Sequence, residues 1–470
     1  MRENLDSKIR RVFGPVAINK KISNNASIAR IPRFISEYLI SYKCGDKQDT
    51  SCISSLSRYI AELYPEPSQR DLFLSKLKED GQLKLLDEFK VRVDLKNNAY
   101  ILEIPSLQIF DAYVNDEIVK KNERIFSGLW GIGLLYYSPD ALKSKRSMTP
   151  IVLEDFRPFQ ASYVDLKLFR EGRRYFSLEE WRDLLVTSIG LNPEAYSPLQ
   201  KTLLLFRLVP AIETNVNLLE LGPRATGKTS LYRNTVYYAR IYAGGTITPA
   251  RLFFDARLSI PGDLALHDIL VFDEISKVKL QNPDELASKL KDYMVDGFFE
   301  RGALKRAHST CSLVFIGNID MEKVQDVGSV LSYLPGFMHD SAFLDRIHGF
   351  IPGWELPKIM KSEVSLASGY GLASDYLAEV LHRFRSESAE GVVNEHFELV
   401  GNYTIRDEKA VKKLLSGMIK LFFPNYEFDN RELAELASLA TDLRNRVARL
   451  LTRMSPQEFP EKELGIRVRG

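Results

Sequence analysis

Apolar positions change their spacing several times along the chain. Through residues 1–85 they recur at helical intervals, as in ISEYLISYK and SQRDLFLSKLKED, which predicts a helical N-terminal domain. From 86 to 165 the period shortens to two. FKVRVDL and AYILEI flank Lys96-Asn97-Asn98, a hairpin signal, and FSGLWGIGLLYY reads as a further strand. A small β-rich domain is expected there, and a barrel of the nucleic-acid-binding kind is one form it could take. From 166 to 353, helical segments alternate with short, wholly apolar runs, the pattern of a parallel sheet flanked by helices. Ser177 with Glu180 predicts a capping box at the start of FSLEEWRDLLVTSIG, and LQKTLLLFRLVPAI reads as a second helix. From 354 to 470, GYGLASDYLAEVLHRFR, RDEKAVKKLLSGMIKLFFP and RELAELASLATDLRNRVARLL are helical by spacing.

Composition narrows this picture only slightly. At 470 residues, with 45% hydrophobic and 27% charged positions, the chain suits several globular domains. No run approaches the ~18 apolar residues of a membrane span, and MRENLDSKIRRVFG lacks the apolar centre of a signal peptide. No membrane association is expected. Cys44, Cys52 and Cys311 are odd in number and without metal-like spacing, which suits reduced thiols in a cytoplasmic protein. The six histidines carry no metal or catalytic spacing either. A net charge of +2 says nothing about partners, although the stretch from Arg2 to Lys43 is rich in basic residues. That stretch reads first as a solvated surface, with a surface that tracks phosphates as the alternative.

The chemistry begins at TNVNLLELGPRATGKTSLYRN. An apolar strand runs into Gly222-Pro223-Arg224-Ala225-Thr226-Gly227-Lys228-Thr229-Ser230, which satisfies G-x-x-x-x-G-K-[ST] ahead of a helix. Glycines let successive N–H groups curl toward phosphate oxygens, and the helix N-terminus adds its positive dipole end. Lys228 would reach the β- and γ-phosphates of ATP, and the Thr229 hydroxyl would ligate Mg²⁺. The plainer alternative is a glycine-containing turn with a surface lysine. A second apolar run, Ile269 to Phe272, ends in Asp273-Glu274. Asp273 would hold Mg²⁺ through water, and Glu274 would act as general base on the attacking water. Taken alone, it would read as a strand ending in solvent. A third run, SLVFIGN, ends in Asn318, which could position that water or simply form a turn.

These three strands in this order resemble an AAA+ P-loop ATPase core with an α-helical lid. The expected fold class is therefore α/β, with a helical and small β region preceding the core. The resemblance implies that Arg346, in DSAFLDRIHGF, is an arginine finger reaching the ATP site of a neighbouring subunit. An ion pair within the chain, to Asp345 or Asp340, is the alternative. It also implies that Arg406 is the lid arginine that touches the γ-phosphate in cis, unless it lies on a solvated helix face.

Longer strings are more specific. KIRRVFGPVAINKKI, EEWRDLLVTSIGLNP, LLELGPRATGKTSLY, DSAFLDRIHGFIPGWE and SGYGLASDYLAEVL resemble the BrxL family, Lon-related AAA+ ATPases of bacterial BREX phage-defence systems. The resemblance implies homo-hexameric rings, able to pair, around double-stranded DNA, together with other phage-defence proteins as partners. It further implies a pore hairpin, GFFERGALKRAHSTCSLVF, with Lys305 and Arg306 contacting the DNA backbone, and a second pore element in 246–266. The sequence stops at SPQEFPEKELGIRVRG, where family members continue into a Lon-like protease-type domain. A short form without peptidase activity is thus expected. Two other functions stay open on the sequence: a protein-remodelling AAA+ ATPase, and a nucleotide-gated DNA-binding scaffold with incidental hydrolysis.

Overall fold

The structure is a computed structural model, and it describes residues 4–45, 49–95, 97–140, 149–159, 164–255, 260–301, 304–322, 327–360 and 362–469. The chain divides into two compact units, Ile22–Tyr163 and a discontinuous unit of Met1–Lys21 with Val164–Gly470.

The first unit joins helices to a closed five-stranded barrel. Closure depends on one long strand, Gln82–Asp94. Its first half pairs with Leu129–Tyr137 and its second half with Ala99–Ile104. The ring is completed by parallel pairing of Tyr113 and Val114 with Val152 and Leu153. Glycines in LWGIGLL leave room for aromatic rings inside. A Cβ on Gly131 would lie 2.6 Å from the Phe156 ring, and one on Gly133 2.5 Å from the Phe89 ring. Those two rings meet edge to face at 5.3 Å in the barrel core. Lys96, part of the expected hairpin turn, lies outside the described residues.

Ahead of the barrel, helices Arg33–Cys44 and Thr50–Leu63 form a hairpin whose ends bring Cys44 and Cys52 to 5.8 Å between Cα atoms. The two are joined as a disulfide, which corrects the expectation of three free thiols. Spacing alone could not reveal it, because the helix reversal is what closes the separation. Cys311 is free and buried.

The second unit is built on a five-stranded sheet. Its spatial order is Gly349–Pro352, Asn217–Gly222, Ser312–Asn318, Ile269–Leu280, Ala239–Ile247, and every pairing is parallel. The central strands are buried on both faces, which explains their largely apolar sequence. The capping box at Ser177 and Glu180 is formed. LQKTLLLFRLVPAI is two helices rather than one, Pro198–Phe206 and Val209–Ile212, with Pro210 in the first turn of the second. The first residues of the chain belong to this unit too: Ala17–Asn19 pairs antiparallel with Tyr370–Leu372, so the GYGL that reads as helix is a strand. Beyond the sheet come helices Ser374–Phe384, Ile405–Phe422 and Asn430–Met454. No described helix is long and apolar enough to cross a membrane.

Candidate active site

A parallel sheet has two unlike edges, and the candidate residues divide between them. At the C-terminal edge the strand Asn217–Gly222 enters the glycine loop, and helix Lys228–Thr235 follows. Ala225 and Gly227 take left-handed backbone, with φ of 66° and 78°. For Ala225 this is a strained conformation that folding must hold in place. Thr226 is buried, whereas Arg224, Ala225 and Ser230 are exposed. The Ser230 hydroxyl donates to the Gly227 carbonyl at 3.1 Å.

Lys228 folds over the loop and donates to the carbonyls of Gly222 and Pro223 at 3.0 and 2.7 Å. Burial lowers its ammonium to about 8, although Glu220 and Asp273 pull the other way. Its surroundings therefore hold less negative charge than a buried cation requires.

The strand Ile269–Leu280 brings Asp273 to the same edge. The Thr229 hydroxyl donates to Asp273 Oδ2 at 2.8 Å, and the Glu274 N–H donates to Oδ1 at 2.9 Å. A hydroxyl and a carboxylate side by side form the hard-oxygen donor set that suits Mg²⁺, which keeps several waters of its own. Glu274 also has positive φ, 50°, where the strand's register with its neighbour shifts after Asp273. Its carboxylate is 39% exposed and pairs with Lys277 at 2.8 Å. Asn318 ends the strand between the glycine-loop strand and the Asp273 strand, in register with Gly222. Thus the loop, Asp273, Glu274 and Asn318 share one edge.

Arg346 and Arg406 lie at the other edge. Arg346 precedes the strand Gly349–Pro352, and its carbonyl accepts from Asn217 Nδ2 at 3.1 Å, at the opposite end of the glycine-loop strand. Six strand residues rise about 20 Å, too far for Arg346 to reach the loop of its own chain. Asp340 and Asp345, the carboxylates expected as its partners in cis, are both engaged elsewhere, while Asp292 supplies a further negative charge nearby. Asp340 binds Lys291 at 2.6 Å, and Asp345 binds Arg444 at 2.8 Å and Arg406 at 2.5 Å. Arg346 donates to the Ala342 carbonyl at 2.5 Å, while its Nε is buried with no hydrogen-bond partner among the described residues. Burial and the nearby Arg406 both lower its pKa. Arg406 is half exposed beside Asp345, so the structure does not bring it to the phosphate loop of its own chain.

Two comparisons with known proteins bear on this arrangement. Residues 151–465 match the family described as "Lon-like protease BrxL-like, ATPase domain". The chain belongs to the BrxL family. Residues 11–137 match the "BREX system Lon protease-like protein BrxL N-terminal" family. It is 30% identical over 464 residues to the "Lon-like protease BrxL" of Escherichia coli O9:H4 (strain HS), and 31% identical over 465 residues to that of Bacillus cereus (strain H3081.97). These alignments take in 97% of this chain but 66% and 68% of the two relatives, so the chain spans about two thirds of their length. A further match, 28% identical over 155 residues, is "Uncharacterized protein 440" of Sulfolobus islandicus rod-shaped virus 1, covering 30% of this chain and 34% of that one.

Two residues of this BrxL site escaped the sequence reading. Arg207 is fully buried and grips the Glu220 carboxylate through Nε at 3.0 Å and through its second terminal nitrogen. Its remaining nitrogen donates to the Thr226 carbonyl at 2.9 Å, which ties the loop to the sheet beneath it. The signal was present: an arginine in LLLFRLV and a glutamate in LLELG are charges inside apolar runs, which burial tolerates only in pairs. Ile359 also touches the loop, its N–H donating to the Ala225 carbonyl at 2.7 Å.

The expected basic hairpin lies between helix Pro283–Asp296 and the Asn318 strand. Phe298–Arg301 pairs antiparallel with Leu304–His308, and Arg306 is exposed with its guanidinium 4.0 Å from the Phe298 ring centroid. Gly302, Ala303 and the Lys305 side chain lie outside the described residues. Within 246–266 the described parts are helix Pro249–Leu252, a short antiparallel pair between Phe254–Asp255 and Ile260–Pro261, and helix Asp263–Leu266; residues 256–259 lie outside.

Proposed function

We propose that this BrxL-family chain is an AAA+ ATPase that assembles as a homo-hexameric ring, encircles double-stranded DNA and acts as a motor or clamp in bacteriophage defence. The observation that carries this reading is the separation of Arg346 from Lys228. Arg346, whose Nε is buried with no hydrogen-bond partner among the described residues, lies just before the strand that pairs with the glycine-loop strand, at the end opposite its own phosphate loop. Such a group meets the phosphates of a loop-bound nucleotide only if another copy supplies them.

In this reading Lys228 meets the β- and γ-phosphates of ATP, and Thr229 and Asp273 hold Mg²⁺. Bound Mg²⁺ would offset phosphate charge. Glu274, on its strained backbone, orients and deprotonates the attacking water, and Asn318 steadies that water from the adjoining strand. Arg346 of the next subunit completes the site. Arg406, beside it on the same edge, belongs with that contribution in trans rather than with a lid contact in cis. The helices after residue 374 form the lid. DNA would pass the hairpin carrying Lys305 and Arg306, whose charges suit backbone phosphates irrespective of sequence.

Mixing Arg346→Ala subunits with Lys228→Ala subunits tests the assembly. Each variant alone should be a poor ATPase, while mixed rings should recover part of the activity at interfaces joining an intact loop to an intact arginine. Verified mixed rings without recovery would overturn the reading.

A further inference from the structure

Arg444 lies in the middle of the long helix Asn430–Met454 and is fully buried. It makes four hydrogen bonds, and three of them fall on the residues flanking Arg346. One terminal nitrogen donates to the Asp345 carbonyl at 3.2 Å and to the Ile347 carbonyl at 2.5 Å. The other donates to Asp345 Oδ1 at 2.8 Å. The fourth bond, from Nε, goes to Asp407 Oδ1 at 2.8 Å. Asp407 in turn caps helix Ile405–Phe422 through Thr404 and binds Lys462. One planar fork therefore grips the chain immediately before and after Arg346 and fastens that turn to two helices.

Asn217 also holds this turn, through the Arg346 carbonyl, whereas the Arg346 guanidinium itself makes one hydrogen bond among the described residues, to Ala342. Buried ion pairs add little net stability compared with apolar packing, and in some proteins they serve to select one conformation. Lysine could retain one charge contact here, but it cannot span two carbonyls and two carboxylates, because an ammonium lacks the rigid fork.

We propose that Arg444 is a positioning residue for Arg346. It holds the backbone of the finger turn so that the guanidinium projects toward the neighbouring subunit, and it couples that turn to the helices after the sheet, so a shift of those helices moves the finger with them. This rests on the reading of Arg346 as a finger acting in trans.

The test is complementation with Arg444→Lys. Its own phosphate loop lies at the other sheet edge, so binding of a fluorescent ATP analogue should be unchanged, which also shows that the variant folds. ATPase kcat should fall on the order of 10²-fold, the effect of a misplaced reacting group, with KM little altered. Arg444→Lys mixed with Lys228→Ala should recover activity, whereas Arg444→Lys mixed with Arg346→Ala should not. The double variant should be no slower than Arg346→Ala alone. Recovery in the second mixture, an additive double variant, or wild-type kcat in Arg444→Lys would overturn the proposal. If Arg346→Ala recovers with Lys228→Ala while Arg444→Lys is wild type, only the role of Arg444 is lost. If Arg346→Ala itself has wild-type kcat, the finger reading fails and this inference with it. Should Arg444→Lys not fold, Asp345→Asn weakens the same grip from the other side and must fall in the same complementation group.

Discussion

Thr229 and Asp273 are joined by a 2.8 Å hydrogen bond across 44 residues of sequence. Beside Lys228 the bond aligns a hydroxyl and a carboxylate, the two side-chain groups that would hold Mg²⁺ there. Asp273→Ala should therefore remove most of the Mg²⁺-dependent part of ATP affinity and leave affinity in EDTA nearly unchanged. Calorimetric titration with and without Mg²⁺ measures the difference directly. Glu274→Gln should do the reverse, keeping Mg²⁺-dependent binding while hydrolysis stops.

The Arg207–Glu220 pair separates stability from loop geometry. Arg207→Met leaves Glu220 charged and unpaired in the core, which should cost about 3–5 kcal/mol and lower Tm accordingly. Arg207→Met with Glu220→Leu removes both charges and should regain most of that loss. ATP affinity should remain weak in the double variant, because the Thr226 carbonyl still lacks its donor. A double variant that binds ATP like wild type would assign Arg207 to stability alone.

Lys228 gives a pH signature. Its pKa is lowered to about 8 by burial, and triphosphate oxygens would raise it on binding. The bound state then holds more protons than the free state above that pH, so affinity should fall as pH rises through 8. The slope should approach a tenfold loss per unit, since linkage of one proton allows no more. Titrations at pH 9 in buffers of different ionisation enthalpy should show uptake of about one proton, and Lys228→Arg should abolish it, because arginine stays charged throughout.

What the sequence made legible was mostly local. Strand and helix patterns around Gly222, Asp273 and Asn318 follow from apolar runs ending in polar residues, and the Ser177 capping box needs only four residues to read. Contacts that depend on three-dimensional closure were not legible. The Cys44–Cys52 bond needs the reversal between two helices; the barrel was within reach as one form of the β-rich region, but its closure needs one strand shared by two neighbours. Arg406 is instructive. Its position at the start of a helix was visible, but its sheet edge is set by Asp345, which lies 61 residues away in sequence. Arg444 gave no sign at all, since RNRVARLL reads as an ordinary amphipathic helix.

The basic hairpin offers the most direct test of a DNA path. Arg306 is exposed and its guanidinium lies over the Phe298 ring, a contact that leaves its charge unneutralised. Binding to phosphates releases counterions, so each phosphate engaged steepens the fall of log affinity with log salt by nearly one unit. Lys305→Ala with Arg306→Ala should therefore weaken binding equally for unrelated duplexes and flatten the salt slope by about one unit for each phosphate no longer engaged. Fluorescence anisotropy across a salt series, with two duplexes of different sequence, gives both quantities. Weakening confined to one duplex would mean that the hairpin reads bases, and an unchanged slope would place the DNA elsewhere on the protein.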